Sequence, residues 1–335
     1  MASSSSSAAL SLSQLEALAA ATHADAAAER RRMLVIVNPY ATTVSERLRT
    51  LVVYALQGRY DVTAIDTERR DHATELTRQA ADEGYDVVVT FGGDGTVNEA
   101  VNGLIGSDTP IFPLPGGNTN VLCRMLGIPN EIVDATEHLL ALADRWEPRR
   151  IDLPLVNERA FTFSSGVGLD ATVVRRVDAR PHLKARFGPY FFTAAAVGAF
   201  LREYLRNPPR MAVETDGGEQ ATGVTAIVQN GDPYTYFGDR PISLAEGATL
   251  DGGTLSAVVL ERTSPLAIPT IAARALSRGL RVVDHRRVAH VEGVGAVTVR
   301  TLDERELPLQ VDGDYVGTVA EARYTVRPGA LAVIS

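Results

Sequence analysis

The chain has almost no cysteine and almost no lysine. Cys123 is the only cysteine in 335 residues, which excludes a disulfide framework and a thiolate metal site and is typical of a reducing cytoplasm. Lys184 is the only lysine among 33 lysine and arginine residues. A Walker-type phosphate loop and the strand lysine of protein kinases are therefore excluded, and any ATP must be bound by another architecture.

Long apolar runs, basic runs and histidine clusters are missing as well. The longest apolar stretch, residues 189–201, is shorter than the roughly 18 residues that span a membrane. The six histidines show no H-E-x-x-H spacing. The net charge of −8, with no basic run interleaved with aromatic residues, disfavours nucleic acid as a partner. A length of 335 residues with 45% hydrophobic composition predicts two globular domains.

Residues 1–32 are rich in serine and alanine, and their positive cluster, residues 30–32, follows the mildly apolar part. This order is the reverse of a secretory signal. We interpret residues 1–32 as a disordered or loosely helical tail. We also expect Met33, where the first strand begins, to be the true start, and an intact mass of the native protein that includes residues 1–32 would contradict this.

From Met33 onward the pattern alternates between strand and helix, which predicts a doubly wound, Rossmann-like parallel sheet with its ligand crevice at the carboxyl ends of the strands. Three polar or glycine-rich loops follow predicted strands and should converge there. The predicted strands are 33–38, 60–65, 86–91 and 110–114, and the predicted helices are 45–56, 72–84 and one from Thr96.

The most informative loop joins a buried strand to a helix and contains Gly92, Gly93, Asp94 and Gly95. Glycines permit a positive φ and let bound phosphate approach backbone N–H groups at a helix N-terminus. A carboxylate beside phosphates indicates Mg²⁺, or a water on Mg²⁺, at Asp94. On these residues alone, a glycine turn with Asp94 as the helix N-cap is an equally good interpretation.

After about residue 149 short β segments dominate, which predicts an antiparallel, sandwich-like second domain. We assign residues 33–148 to the α/β domain, completed by about 320–335, and residues 149–319 to the β-rich domain. The predicted strands are 161–167, 211–214, 224–229, 255–261, 296–301, 307–311, 323–326 and 330–334, with helices near 190–204 and 269–279.

Five ordered motifs resemble the diacylglycerol kinase catalytic-domain superfamily, which includes bacterial diacylglycerol kinases and sphingosine kinases. The resemblance spans residues 33–334, and its motifs are Val37-Asn38-Pro39, Gly92 to Gly103, Pro115 to Asn120 with Arg124, Gly166 to Ala171, and Val311 to Asp314. It implies a nucleotide domain and a β-sandwich with the active site in the cleft between them. NAD kinases share the G-G-D-G loop, but Asn98-Glu99 directly after it is similar to the lipid kinases.

The resemblance also implies roles for individual residues. Asp94 would organise Mg²⁺, Asp314 would be the general base, and Asp312 would orient Asp314 or bind the metal. The residues implied to bind ATP are Asn38, Gly92, Gly93, Gly95, Thr96, Gly116, Gly117, Asn118 and Asn120.

Three positions in two motifs depart from the family pattern. Asn118 and Val121 stand where the family motif has threonine and aspartate, and Asp314 stands where it has glutamate, a side chain longer by one C–C bond, ~1.5 Å. Either departure is compatible with a subgroup that repositions its substrate or with lost activity.

Several acidic residues have two interpretations each. Asp312-Gly313 is also the favoured dipeptide of a hairpin turn. Asp170, which closes the Gly166–Asp170 motif, is either functional or a helix cap. Glu99 is either a second acidic partner near the metal or a stabiliser of its own helix dipole.

Lys184 and Arg186 precede the apolar segment 190–201, and Arg202 and Arg206 follow it. Such flanks suit peripheral contact with an anionic membrane face, although a core-facing helix with solvated arginines is favoured two to one.

We therefore predict a cytoplasmic, ATP- and Mg²⁺-dependent lipid kinase acting on diacylglycerol or a related lipid alcohol, with peripheral contact at the inner membrane face left open. Two alternatives stay open. One is a kinase of a soluble substrate such as NAD, and the other is a catalytically inactive nucleotide- or lipid-binding protein.

Overall fold

The computed structural model describes residues 14–17, 30–180, 183, 191, 194–265, 267–277 and 279–335. The chain forms two compact units. Unit 1 comprises the residues up to Ile151 together with Ala330–Ser335, and unit 2 comprises Asp152–Gly329. The sequence predicted this division after residue 148. It also predicted that the chain returns to the α/β domain from about residue 320.

Unit 1 has the predicted alternation of strands and helices. Its parallel sheet has the order β2-β1-β3-β4. On the far side of β4, Val333 near the chain end pairs with Ile111 of that strand. The central strand β3 is buried along its whole length, as its apolar sequence requires. The elements are β1 Arg32–Val37, α1 Glu46–Gln57, β2 Asp61–Asp66, α2 His72–Asp82, β3 Val87–Gly92, α3 Asp94–Gly103, β4 Ile111–Pro115, α4 Val121–Met125 and α5 Ile132–Leu142.

Unit 2 contains the predicted antiparallel sheets. One has six strands in the order β14-β13-β10-β7-β16-β17, and the strands β18, β15, β8 and β9 form a second run. Val167 and Val228 from the first share a buried cluster with Val213, Val297 and Tyr324 from the second, as in a sandwich.

The strands that begin at or after residue 149 are β5 Arg149–Val156, β6 Arg159–Ala160, β7 Ser164–Gly168, β8 Met211–Thr215, β9 Gln220–Gly223, β10 Thr225–Gln229, β11 Thr235–Phe237, β12 Arg240–Ile242, β13 Leu255–Leu260, β14 Val288–Val294, β15 Ala296–Thr301, β16 Leu307–Val311, β17 Asp314–Val319 and β18 Glu321–Val333. The helices there are α6 Leu169–Asp178, a π-helical turn Phe200–Tyr204 that continues the helical residues 194–199, and α7 Ala267–Ala275.

Several predicted elements are shifted or joined. The two predicted closing strands are one strand, β18, and the helix predicted at 269–279 is α7, Ala267–Ala275. The predicted helix 190–204 lies partly outside the described residues. Lys184 and Arg186 also lie outside them. In the predicted tail, residues 14–17 form a helical turn in which Leu15 is fully buried, and Glu16 pairs with Arg47 at 3.2 Å.

Candidate active site

The glycine loop of unit 1 passes from β3 directly into α3. Gly92 ends the strand, Gly93 is the N-cap, and the helix begins at Asp94 rather than at Thr96. Asp94 is therefore in the first turn and is not the N-cap. Within residues 30–180 the glycines with left-handed φ are Gly84, Gly106, Gly127 and Gly168, so this loop does not use the positive φ that its glycines permit.

Close packing, and not φ, requires glycine where this loop meets the loop after β4. The amide of Gly116, in the loop after β4, donates to the Gly92 carbonyl at 2.8 Å. A Cβ on Gly116 would lie 2.8 Å from the Gly92 Cα, and a Cβ on Gly117 would lie 2.8 Å from the Gly93 Cα. The two loops thus touch backbone to backbone at the N-terminus of α3, an end of a helix that favours a bound phosphate.

The loop after β1 joins the same edge of the sheet. Asn38 donates from Nδ2 to Thr96 Oγ1 at 3.1 Å, and the Thr43 amide donates to the Gly116 carbonyl at 3.2 Å. Three loops that follow separate strands therefore meet at one edge of unit 1, as the parallel topology demands.

Asn120 shapes the loop after β4 from within. It is 4% exposed and adopts a left-handed φ of 48°. Its Oδ1 accepts from the Gly117 amide at 2.9 Å, and its Nδ2 donates to the Gly117 carbonyl at 2.9 Å and to Asn130 Oδ1 at 3.0 Å. Since these bonds occupy its side chain, Asn120 positions Gly117, whereas Asn118 is exposed.

Asp94 is partly exposed beside these glycines, and Val121, where the family motif has aspartate, is 2% exposed. Mg²⁺ is commonly held by one or two carboxylates together with substrate phosphates. Among the described residues, no three acidic, histidine or cysteine side chains form a group that could hold a metal alone. The single carboxylate of Asp94 fits a cation that arrives with a nucleotide.

Glu99 stabilises a different helix from the one expected. Its Oε2 accepts from the Ala73 amide at 3.2 Å, and its carbonyl accepts from Thr74 Oγ1 at 2.7 Å. Both donors belong to the first turn of α2, whose amides need acceptors. Glu99 therefore caps α2, and the interpretation as a stabiliser of its own helix is wrong.

In unit 2, Asp312 and Gly313 form the two-residue turn between β16 and β17, with Val311 paired to Asp314. Their φ values of 48° and 84° are those of a type I′ turn. The Asp312 carboxylate, 4% exposed, accepts from the Thr162 amide at 2.8 Å, Thr162 Oγ1 at 3.1 Å, the Phe163 amide at 3.1 Å and the Ser164 amide at 3.3 Å. Asp312 thus anchors the turn to the strand entering β7.

Asp314 follows this turn as the first residue of β17 and is partly exposed. A carboxylate that is presented from a fixed turn and reaches solvent can accept a proton from an incoming hydroxyl. In the described part of unit 2 it is therefore the better placed of the two turn carboxylates for that role.

Asp170 does not cap α6, because Gly168 is the N-cap. Its carboxylate accepts from the Tyr234 hydroxyl at 2.5 Å and from Gln310 Nε2 at 2.8 Å. Burial raises the pKa of Asp170 against these two hydrogen bonds. Burial, and then the Asp170 charge, also raises the pKa of Tyr234 well above its usual range.

Sequence reasoning missed Tyr234, Gln310 and Asp178, whose carboxylate accepts from the Tyr315 amide at 3.1 Å. No local pattern marks these residues, because Tyr234 and Asp178 contact distant partners and Gln310 bonds the distant Asp170 as well as the nearby Gly313.

The comparisons with known proteins agree with this architecture. The diacylglycerol kinase catalytic domain family matches residues 32–151, and the YegS C-terminal NAD kinase beta sandwich-like domain family matches residues 164–335. A diacylglycerol kinase of Staphylococcus aureus strain bovine RF122 / ET3-1 is 28% identical over 306 residues, 86% of this chain and 87% of that protein. The protein of the same name from strain MRSA252 is 27% identical over 306 residues, with the same shares.

A solved structure of a diacylglycerol kinase from Bacillus anthracis strain Sterne superposes with a TM-score of 0.69 at 23% identity, covering 92% of this chain and 98% of that chain. The two family matches define a chain that joins a diacylglycerol kinase catalytic domain to a β-sandwich-like domain. The chain belongs to the diacylglycerol kinase catalytic-domain superfamily. Among the described residues, no helix combines the length and the apolar character needed to cross a bilayer.

Proposed function

We propose that the protein transfers the γ-phosphate of ATP to the hydroxyl group of diacylglycerol or a related lipid alcohol. The observation that carries the proposal is the double glycine contact at the N-terminus of α3, where the loops after β3 and β4 pack backbone against backbone beside a helix end that favours bound phosphate. Family membership supports nucleotide use by a kinase.

In this proposal unit 1 holds the nucleotide. The N-terminus of α3 at Gly93 binds phosphate oxygens, and Asn38 fixes the Thr96 hydroxyl beside it. Asp94 is the residue that would hold Mg²⁺, whose contribution when bound is to neutralise phosphate charge.

Asp314 of unit 2 is the proposed catalytic base. The lipid hydroxyl oxygen forms a bond to the γ-phosphorus while the bond from that phosphorus to the bridging oxygen of ADP breaks. The proton of the hydroxyl passes to the Asp314 carboxylate late in the transfer, because the alcohol pKa is very high. Asp312, whose carboxylate is occupied by backbone and hydroxyl donors, positions the turn.

We further propose that the protein is cytoplasmic and meets its substrate at an anionic lipid surface through residues 194–206, which are helical from 194 to 204. Val197, Leu201 and Leu205 recur every four residues and are 52%, 55% and 38% exposed, so they form one apolar stripe. The neighbouring Arg202 and Arg206 are exposed as well. Positive charge beside an apolar stripe complements an anionic lipid surface in a chain whose net charge is −8.

One experiment tests the activity. Purified protein is incubated with radiolabelled ATP, Mg²⁺ and a mixed lipid extract, and the labelled product is identified, with Asp94→Asn as the matched control. A labelled lipid supports the proposal. Label in NADP when NAD is supplied would support the soluble-substrate alternative, which the name of the C-terminal domain family favours.

Nucleotide binding without turnover on any lipid or on NAD would support the inactive alternative, for which Val121 is the motivating residue. Vesicle sedimentation with and without anionic lipid tests the surface. We expect Leu201→Glu to reduce the bound fraction on anionic vesicles and Leu302→Glu, at a residue of similar exposure in unit 2, to leave it unchanged.

A further inference from the structure

The candidate base, Asp314, begins an edge strand. β17 is the last strand of its six-stranded sheet, and within the described ranges of the chain no strand pairs with its outer side. The pairing of β16 with β17 is also irregular, with a register shift between Leu309 and Gln310. The hairpin alone therefore does not fix the peptide groups on either side of Asp314.

Two side-chain contacts hold those peptide groups. On the C-terminal side, the Tyr315 amide donates to Asp178 Oδ2 at 3.1 Å. On the N-terminal side, the Gly313 amide donates to Gln310 Oε1 at 2.9 Å. The first contact engages an N–H group of the edge strand, and the second engages an N–H group of the turn.

Gln310 has only one way to make its contact. It is fully buried, and its Nε2 donates to Asp170 Oδ2 at 2.8 Å. A carboxylate needs the NH₂ end of the amide and the Gly313 N–H needs the oxygen end, so the two partners fix the side-chain orientation. The Tyr234 hydroxyl holds the other oxygen of Asp170 at 2.5 Å.

Both contacts lead back to one helix. Asp170 lies in the first turn of α6 and Asp178 is its last residue. We propose that α6 positions the proton acceptor: Asp178 directly, and Asp170 through Gln310, fix the backbone on both sides of Asp314. The inference rests on the proposed function of Asp314. In this view Asp170, Asp178 and Gln310 are positioning residues, because they act through Asp314 and not on the substrate.

The decisive variant is Asp178→Ala, because Asp178 is partly exposed and its removal leaves the buried Gln310 in place. Asp216→Ala is the matched control, since Asp216 Oδ2 accepts from the Gly295 amide at the same 3.1 Å elsewhere in unit 2. We expect Asp178→Ala to lower kcat about tenfold with KM for ATP within about twofold, and Asp216→Ala to change neither, because only a misplaced proton acceptor slows the chemical step. Asp178→Asn, whose amide oxygen still accepts, should recover most of kcat.

A double-mutant cycle separates positioning from a structural role. If Asp178 acts through Asp314, adding Asp178→Ala to Asp314→Asn lowers kcat no further. Equal kcat for Asp178→Ala and Asp216→Ala, or additive losses in the double variant, would overturn the inference. An unchanged kcat in Asp314→Asn alone would instead overturn the proposed base.

Amide hydrogen exchange tests the inference even if no substrate is turned over. We expect the Tyr315 amide to exchange at least about tenfold faster in Asp178→Ala, while the amides of β16 keep their protection. Unchanged exchange at Tyr315 would overturn the inference independently of any activity. Absence of lipid phosphorylation by the wild type, with faster exchange at Tyr315 in the variant, would refute the proposed function and retain the structural role of α6.

Discussion

The Oδ1 atom of Asp94 lies 3.4 Å from the backbone nitrogen of Leu122, so a carboxylate at the start of α3 faces the start of α4. The side chain of Asn120, the N-cap of α4, is occupied by Gly117 and Asn130. The negative charge of Asp94 therefore also stabilises the N-terminus of α4. A distance of 3.4 Å is long for a charged acceptor, which keeps this contact weak and leaves the carboxylate able to serve a cation.

Replacing Asp94 by asparagine separates these two roles. We expect turnover to fall by at least about 100-fold, roughly 2.7 kcal/mol of barrier, because an amide lacks the charge that places the cation. The Tm should stay close to that of the wild type, since an asparagine oxygen still accepts from Leu122. Steady-state kinetics and thermal unfolding measure the two effects, and full activity in the variant would leave Asp94 with only its helix contact.

The paired glycines permit a test of phosphate binding against packing. A Cβ on Gly93 would find Gly117 Cα at 3.4 Å, an ordinary contact. We therefore expect Gly93→Ala to fold normally and to raise KM for ATP about tenfold, because the methyl group lies where phosphate must approach.

Gly117→Ala is the contrasting variant. Its Cβ would lie 2.8 Å from backbone, so the free energy of unfolding should fall by about 1–3 kcal/mol. Gly279→Ala, where nothing lies within 4 Å, is the control. A Gly93→Ala variant with unchanged KM would mean that Gly93 only allows the loops to pack.

Asp314 is tested by two substitutions of opposite kind. We expect Asp314→Asn to lower kcat by at least about 100-fold with little change in KM for ATP, since the proton acceptor is needed in the transition state and not for nucleotide binding. Asp314→Glu should also slow the reaction if the shorter acid is matched to a substrate that lies deeper. A faster Asp314→Glu enzyme would show that the natural protein is a weakened kinase.

Glu99 should affect stability and not chemistry. We expect Glu99→Ala to lower the free energy of unfolding by about 1 kcal/mol, the usual cost of a lost helix cap, because the Ala73 amide loses its acceptor. Glu99→Gln keeps an acceptor oxygen and should retain most of that stability. Denaturant unfolding measures both variants. A large loss of kcat in Glu99→Gln, with stability intact, would return Glu99 to the metal site.

The sequence predicted elements whose signals are local. Ser45 marked the start of α1, and its hydroxyl accepts from the Leu48 amide at 3.2 Å as a cap should. The apolar run of β3 and the alternation of strands with helices likewise depend on near neighbours, so the parallel sheet and the meeting of three loops at its edge were predictable.

Contacts between distant residues were not predictable. The cap that Glu99 provides belongs to a helix earlier in the chain, and the carboxylate of Asp312 is satisfied by Thr162, Phe163 and Ser164. Neither partner set has a sequence spacing that a periodic pattern could reveal, because tertiary packing alone brings them together. Asp312-Gly313 shows a related case, in which the hairpin turn and the family motif are the same residues.

The backbone contacts Gly92–Gly116 and Gly93–Gly117 also bear on how the family can be recombined. Because the packing leaves no room for a Cβ at Gly116 or Gly117, the two loops must be inherited together, although helix α3 and strand β4 separate them along the chain. A chimera that takes the loop after β3 from one relative and the loop after β4 from another should fold only if both parents have glycine at the paired positions. Crossovers in a shuffled library should accordingly survive when they fall outside residues 92–117 and be depleted within them.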